Sequence, residues 1–237
     1  MKVIILSITK YKEKDCIYNA VSEEGYLSFQ AKGAQDSKGK FAWLNNPLTV
    51  ADVEFNEDGR YKHKLLKSAS PLSSPLEADE TLEYLYSVYA LTELSQNVLL
   101  DEEKHLEFKD LLDAIKAIKN GKDYRMVVLI YFAKLLKFSG AQLEVDRCVF
   151  CGGTKRITTF SFENGGFVCA ECMKEGITKE FRKTQMQLIR AIFKTESCLY
   201  FKDDYSDDDK KLILLKLKEF ADHTLGVSLK TIDYLSK

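Results

Sequence analysis

The sequence predicts an α+β chain, in which a small β-barrel precedes a helical domain that carries an inserted four-cysteine module. Three observations support this prediction. Residues 1–70 contain short segments rich in β-branched and aromatic residues. Beyond Pro75 the apolar period changes from two to about 3.6 residues, and two Cys-x-x-Cys pairs then interrupt the helical pattern.

The composition is that of a folded soluble protein. The 237 residues are 45% hydrophobic and 30% charged, with a formal net charge of −1. The longest apolar run is far shorter than a membrane span, and residues 1–8 do not resemble a signal peptide. We therefore expect a cytoplasmic protein, and the near-neutral charge does not by itself indicate a nucleic-acid binder.

Five strands are predicted in the first part of the chain. They are residues 2–8, 16–22, 26–31, 48–55 and 61–68. Glu23-Glu24-Gly25 and residues 57–60, which contain Asp-Gly, have the composition of hairpin turns. A five-stranded OB-type barrel is the economical arrangement, because closing the sheet hides the strand edges.

A polar, basic loop is predicted between the third and fourth strands. Residues 32–40 combine glycines with lysines and are followed at once by Phe41 and Trp43. A flexible basic loop beside aromatic residues is typical of a nucleic-acid groove, since cations neutralise phosphates and rings stack on bases. A second basic run covers residues 60–67. The pattern is also compatible with solvated surface runs and with both aromatic rings in the core.

The prolines and serines at 71–75 indicate a domain boundary. We predict an OB-fold DNA-binding domain at residues 1–75 and a helical domain at 76–237. Helices are expected from 79 to about 100, through Leu106 to Asn120-Gly121, and from 123 to 138 at the buried centre of the domain. Later helices are expected after a Thr184 cap and from Ser206 to Gly226.

The four cysteines form two Cys-x-x-Cys pairs, Cys148 with Cys151 and Cys169 with Cys172. Seventeen residues separate the pairs, which is the spacing of a four-thiolate zinc site. Such a shell is closed to water, so the zinc would be structural. We place this module at about residues 146–176, with short strands at 158–162 and 166–168 between the pairs. Two disulfides or a redox-active pair are the less favoured alternatives.

The remaining chemistry-bearing residues support no catalytic site. Cys16 and Cys198 are interpreted as buried free thiols. The acidic run at 203–209 lacks the spacing of a calcium loop and is explained by the helix that follows it. No nucleophile elbow, phosphate-binding loop or zinc-protease motif is present, so we do not expect an enzyme.

Taken together, these features resemble the RecO family of bacterial DNA repair and recombination proteins. No single sequence segment is specific to this family, but the order and spacing of the matching segments along nearly the whole chain are specific. The matching segments are Glu13-Lys14-Asp15, Glu24-Gly25, Ala31-Lys32-Gly33-Ala34, Asn46-Pro47-Leu48, Cys148-x-x-Cys151-Gly152 after Gly140, and residues 225–231.

The resemblance implies a recombination mediator in the bacterial nucleoid. Proteins of this family bind single- and double-stranded DNA, anneal complementary strands and, with RecR, help RecA replace the single-stranded DNA-binding protein SSB. The helical domain would dock the SSB tail and hold one structural Zn²⁺. A protein-binding zinc-ribbon adaptor without direct DNA binding remains the alternative, and the near-neutral net charge favours it.

The resemblance also raises the weight of the basic runs as a DNA face. The residues predicted to contact phosphates are Lys32, Lys38, Lys40, Arg60, Lys62 and Lys64, with Trp43 a weaker candidate for base stacking. Where the family often has arginines, this chain has Gln35 and Asp36. DNA affinity would then depend more on the lysines that follow and on the strand after Arg60.

Overall fold

The N-terminal part of the chain forms a closed barrel. The computed structural model describes residues 1–56, 64–75, 81–173 and 180–237. The five strands are β1 (Lys2–Tyr11), β2 (Asp15–Ser22), β3 (Gly25–Ala31), β4 (Val50–Asn56) and β5 (Lys64–Ser73). They close in the order β1-β2-β3-β5-β4, with only β3 and β5 parallel. This arrangement confirms the predicted five-stranded barrel of the OB type.

Two strands are longer than their apolar patterns predicted. β1 continues to Tyr11, paired with Asp15 of β2, although its last residues are exposed. β5 continues through Pro71, a residue that the sequence analysis assigns to the domain boundary. Beyond Leu65, β5 pairs only with β4 among the described residues, so one edge is free and a residue without an N–H is tolerated.

The barrel interior is aromatic and aliphatic, and the β3–β4 connection closes one end of it. Tyr18 and Phe29 stack inside with their ring centroids 5.3 Å apart. Phe41 and Leu44 of the connection are buried against this core, and a 3-10 turn spans Ala42–Leu44. Phe41 is therefore a core residue.

The C-terminal part is a helical bundle around one buried helix. The helices are α1 (Leu82–Asn97), α2 (Phe108–Lys119), α3 (Tyr124–Phe138), α4 (Lys183–Lys194), α5 (Asp207–Leu225) and α6 (Ile232–Leu235), with a 3-10 segment at Asp101–Leu106. Helix α3 buries ten of its residues and packs against α1, α2, α4 and α5. The prediction of a central α3 is confirmed.

Side chains cap the beginnings of α1, α3 and α5. Ser206 accepts the N–H of Asp209 at the start of α5, and Gly226 ends that helix in the left-handed region with φ +68°. The predicted Thr184 cap is wrong, because α4 begins at Lys183 and Arg182 occupies its N-cap position. The Thr184 hydroxyl instead donates to Asp209 Oδ2 at 3.2 Å.

The outer face of the barrel packs into the hydrophobic core of the helices, while the barrel interior forms a second core of its own. Val3 and Ile5 of β1 face the barrel interior, whereas the alternate residues Ile4 and Leu6 pack with the helices. The side-chain amide of Gln96, in α1, also donates to the carbonyl oxygen of Leu6. The predicted domain boundary near residue 75 stays a prediction, since residues 76–80 lie outside the described chain, as does the predicted 57–60 turn.

Candidate metal centre and nucleic-acid interface

The four predicted cysteines converge on one point. Their Sγ atoms all lie within 4.8 Å of one another, and Cys151 Sγ is 3.7 Å from Cys169 Sγ. A tetrahedral shell with metal–sulfur distances of about 2.3 Å requires sulfur–sulfur distances of about 3.8 Å. A disulfide would need about 2.05 Å, and all four cysteines are free. The cluster could therefore hold a metal ion.

The first cysteine pair is positioned by a tight turn. The N–H of Gly152 donates to the Cys148 carbonyl at 2.9 Å, and the N–H of Cys148 donates to the Gly153 carbonyl at 2.8 Å. Gly152 has φ +69°, a conformation that glycine adopts at little cost. The turn directs Cys148 and Cys151 toward the same centre, as their spacing predicted.

Backbone donors favour the thiolate form of Cys148. Cys169 N–H points at Cys148 Sγ at 3.4 Å, and Gly153 N–H points at Cys151 Sγ at 3.4 Å. Burial raises the pKa of Cys148, but hydrogen bonds from the backbones of Cys169, Cys151 and Phe150 outweigh it and bring the pKa to about 6. The thiolate is the form that binds metals, so Cys148 is prepared to act as a ligand. The hydrogen bond with Cys151 instead raises the pKa of Cys172 to about 12, and the pKa of Cys151 is also raised, so these thiols would lose their protons on binding the metal.

A two-stranded sheet brings the second pair to the first. Its strands are β6 (Ile157–Ser161) and β7 (Gly166–Cys169), close to the predicted positions. A Cβ on Gly166 would lie 2.3 Å from the carbonyl oxygen of Glu144, so only glycine permits this close approach. The role of Gly166 depends on a contact distant in sequence, and the sequence analysis did not find it.

Aromatic side chains attach this module to the bundle. The Phe160 ring contacts Phe162, Phe167 and Phe181, with centroids 5.0, 5.4 and 6.2 Å away. Phe162 reaches Phe220 of α5 at 5.9 Å. On the outside, Asp146 forms salt bridges of 2.8 Å with Arg190 and Lys194 of α4. The module is thus fixed to the helices on both sides.

The basic loop between β3 and β4 is held by hydrogen bonds, whereas the sequence analysis expected a flexible loop. The Gly33 N–H donates to Asp15 Oδ1 at 3.0 Å, and Gln35 Nε2 donates to the Asp15 carbonyl at 2.7 Å. Asn45 Nδ2 holds the Ala34 carbonyl at 2.7 Å. Gln35 is therefore a structural link to the β1–β2 turn.

The described candidates for DNA contact differ in their surroundings. Lys32, Lys38 and Lys40 are exposed on the fixed loop. Lys64 is exposed at the start of β5, where its backbone pairs with Phe29 of β3. Phe29 lies three residues before Lys32 in the chain. The Nζ of Lys64 lies 5.6 Å from the Phe55 ring centroid. Arg60 and Lys62 lie outside the described residues, so their predicted role stays a prediction.

Trp43 is half-buried rather than openly displayed. Its ring packs against the barrel core, and its Nε1 donates to the Lys40 carbonyl at 3.1 Å. The indole therefore helps to fix the loop that carries Lys38 and Lys40. Its availability for base stacking is reduced accordingly.

The tip of the β1–β2 hairpin lies beside the basic loop, an arrangement that the sequence analysis missed. Gln35 Nε2 also contacts the carbonyl oxygens of Tyr11 and Lys12, at 3.4 and 3.2 Å. The tip carries the exposed residues Lys10, Lys12 and Lys14. Their alternation with other residues was visible in the sequence, but their proximity to residues 32–40 was not.

Similarity to known proteins agrees with this architecture. The family model described as "Recombination protein O C terminal" matches residues 79–233. Among the curated relatives named "DNA repair protein RecO", that of Clostridium perfringens strain 13 is 28% identical over 238 residues, covering 90% of this chain and 95% of the relative. Those of Shouchella clausii and Bacillus pumilus are 26% and 22% identical, each covering 99% of this chain and 92% of the relative.

None of the described helices is long and apolar enough to cross a lipid bilayer. The family model covers well over half of the chain, and the relatives match both the barrel and the bundle. The chain therefore belongs to the RecO family of bacterial DNA repair proteins.

Proposed function

We propose that this protein is a recombination mediator in DNA repair. It binds single- and double-stranded DNA, anneals complementary strands and, with RecR, helps load RecA onto single-stranded DNA coated by SSB. Family membership supports the repair role, since the relatives carry the name of a DNA repair protein. The observation that supports direct DNA contact is the group of exposed lysines on a fixed loop at the barrel rim.

The proposed mechanism is electrostatic. Lys32, Lys38, Lys40 and Lys64, with Arg60 and Lys62, neutralise phosphates and release their counterions. A surface that holds two backbones at once raises the effective concentration of one strand near the other. Annealing and RecA loading would then need no nucleotide hydrolysis, and the protein would act without catalytic turnover.

The four-cysteine cluster is proposed to hold one Zn²⁺. Cys148, Cys151, Cys169 and Cys172 supply four thiolates, the donor set that zinc prefers in closed structural sites. The metal would act as a structural cross-link between the two cysteine pairs. The protein's own contribution is to aim the sulfurs and to fix the module against α4 and α5.

The helical bundle is proposed to serve the protein partners. RecR, RecA and the acidic, hydrophobic tail of SSB would be engaged while the barrel holds DNA, which would place the protein at the bacterial nucleoid. The alternative function is a zinc-ribbon adaptor that binds only protein. The near-neutral net charge favours that alternative, whereas the exposed lysines of the barrel favour DNA binding.

An annealing assay tests the proposal. Two complementary oligonucleotides, bare or coated with SSB, are mixed with the wild type or with Lys38→Glu/Lys40→Glu at two salt concentrations. We expect the wild type to accelerate annealing and both the variant and added salt to abolish the acceleration, because phosphate contacts are lost in each case.

The matched control is Lys109→Glu/Lys116→Glu. It makes the same charge change at two exposed lysines of α2. We expect this control to anneal like the wild type. No acceleration by the wild type under any condition would contradict the mediator function and favour the protein-binding adaptor.

A further inference from the structure

The β1–β2 hairpin extends beyond the part of the barrel that holds a core. Lys10 pairs with Cys16 and Tyr11 pairs with Asp15, and the turn between the strands consists of residues 12–14. Lys10, Tyr11, Lys12 and Lys14 are all exposed. None of these three lysines forms a salt bridge with a described residue. The tip is thus a cationic projection with one accessible aromatic ring.

Hydrogen bonds join this tip to the loop of residues 32–40. The Asp15 carboxylate accepts the Gly33 N–H at 3.0 Å and the Gln30 side chain at 2.7 Å, and the Gln35 N–H donates to the Lys14 carbonyl at 3.0 Å. Tip and loop therefore form one surface, which we name the lysine rim: residues 10–15 and 32–40. It contains six lysines and three acidic residues, a formal charge of +3 within a chain whose net charge is −1.

The aromatic ring of the tip is placed next to a cation. Tyr11 is 37% exposed, and Lys12 Nζ lies 5.2 Å from the centroid of its ring. Lys12 itself has φ +53°, a left-handed conformation that glycine would adopt at lower cost. Proteins that bind single-stranded nucleic acid combine cations, which contact phosphates, with aromatic rings, on which bases stack.

We propose that the β1–β2 hairpin tip is a contact site for single-stranded DNA, in which Lys12 and Lys14 bind phosphates and Tyr11 stacks on a base. The inference rests on the proposed function of the barrel and deepens it, because it adds a second element to the DNA face. The fixed link through Gln35 and Asp15 makes tip and loop one continuous track for a strand. Gln35 and Asp15 are positioning residues in this arrangement.

The electrostatic part is tested with a fluorescent oligothymidylate and the full-length protein. The measured quantity is the slope of log affinity against log salt concentration for the wild type, Lys12→Glu/Lys14→Glu and the control Lys109→Glu/Lys116→Glu. Each phosphate contact on single strands contributes about 0.7 to the slope. We expect the hairpin variant to lose about 1.4 of the wild-type slope and the α2 control to keep it.

A second variant separates binding from folding. Lys12→Gly removes the charge but suits the left-handed backbone at this position, so we expect the unfolding temperature to be kept while the slope falls by about 0.7. Tyr11→Ala should weaken binding by about five- to 150-fold, the range expected when an aromatic ring that stacks on one base is replaced by alanine. Tyr11→Phe keeps the ring and should bind like the wild type.

The outcomes distinguish this inference from the function on which it rests. If the wild type binds the oligonucleotide and the hairpin variants bind as tightly as it does, the tip is not a contact site and the proposed DNA binding stands. If the α2 control loses as much of the salt slope as the hairpin variant, the slope depends on the total charge of the protein and not on the tip. That result would also overturn the inference. If the wild type does not bind at all, the proposed function fails first.

Discussion

Asp209 joins the beginnings of two helices through a side chain that is only 6% exposed. Its carboxylate accepts hydrogen bonds from Gln185 Nε2 at 2.8 Å and from Arg182 at 2.7 Å, both at the start of α4, while its own N–H is capped by Ser206 of α5. Burial alone would raise the pKa of Asp209, but the hydrogen bonds from Gln185 and Ser206 and the Arg182 charge hold the pKa below its usual value.

The lowered pKa of Asp209 predicts that the stability of the protein depends on pH. Because the folded-state pKa lies below the unfolded value of about 3.9, the contribution of Asp209 is complete above that value and is lost as pH falls through the folded pKa. Asp209→Asn should lower the free energy of unfolding by about 1.5–3 kcal/mol at pH 7, the range for hydrogen bonds to charged groups. Urea unfolding between pH 7 and 3 should show that the difference in free energy of unfolding between the wild type and Asp209→Asn becomes smaller below about pH 4.

Asp208→Asn is the control for this prediction. Asp208 lies beside Asp209 in the first turn of α5 and is exposed, so the substitution changes the same charge without touching α4. We expect a change within about 0.5 kcal/mol, as for most surface substitutions. If Asp208→Asn and Asp209→Asn lower the free energy of unfolding equally, the effect comes from removing a negative charge at the start of α5 and not from the contacts with α4.

The four-cysteine module is an element whose fold depends on its cross-link. Sheet β6–β7 has two short strands, which are marginal by themselves in water. Its remaining stabilisation comes from the phenylalanine contacts and from the proposed zinc, and structural zinc contributes about 10–16 kcal/mol in model fingers. This exceeds what a module of this size could otherwise supply.

Loss of one ligand should therefore unfold the module. We expect the wild type to carry one zinc per chain and Cys169→Ser to carry none, with increased binding of a hydrophobic dye as Phe160 and Phe167 become exposed. Metal content is measured by mass spectrometry. Cys198→Ala, a substitution at a buried cysteine outside the cluster, should keep the zinc. A full zinc content in Cys169→Ser would contradict the assignment of the four ligands.

At the scale of the whole molecule, the barrel and the bundle are packed as one unit. Ile4 and Leu6 belong to the same core as the helices, and the Gln96 side chain donates to the Leu6 carbonyl. Just beneath, Lys104 is 2% exposed and its Nζ donates to the Ser95 and Gln96 carbonyls, while Glu107 accepts the hydroxyls of Ser95 and Tyr131. The barrel, for which we propose DNA binding, and the bundle, for which we propose partner binding, would thus move together.

This packing of the barrel's outer face against the helices predicts a single unfolding transition. Trp43 fluorescence reports the barrel and far-ultraviolet circular dichroism reports the helices, and the two denaturation curves should coincide. Leu6→Ala should shift both curves equally, by about 2–5 kcal/mol, because it leaves a cavity between the two parts. Leu100→Ala, at a leucine that is 69% exposed, should shift neither. Separate midpoints for the two signals would show that the parts unfold independently.

Local patterns in the sequence were sufficient for most of the fold. Period-two apolar segments predicted the five barrel strands, and the spacing of the cysteine pairs predicted the cluster that the structure brings within 4.8 Å. Ser206 and Gly226 predicted the two ends of α5. These features succeed because the signal and the structure it predicts involve residues close together in the chain, or residue types with a strong chemical preference.

Tertiary contacts decided the rest. The Thr184 hydroxyl turned to Asp209 instead of capping α4, Gly166 was required by the carbonyl of Glu144, and Trp43 was drawn toward the barrel core. The joining of the β1–β2 tip to residues 32–40 likewise depends on Gln35 and Asp15, twenty residues apart. Residue patterns were enough to predict which strands and helices form and which thiols can share a metal. The surfaces that meet could be read only from the folded chain, because those contacts join residues that no local period relates.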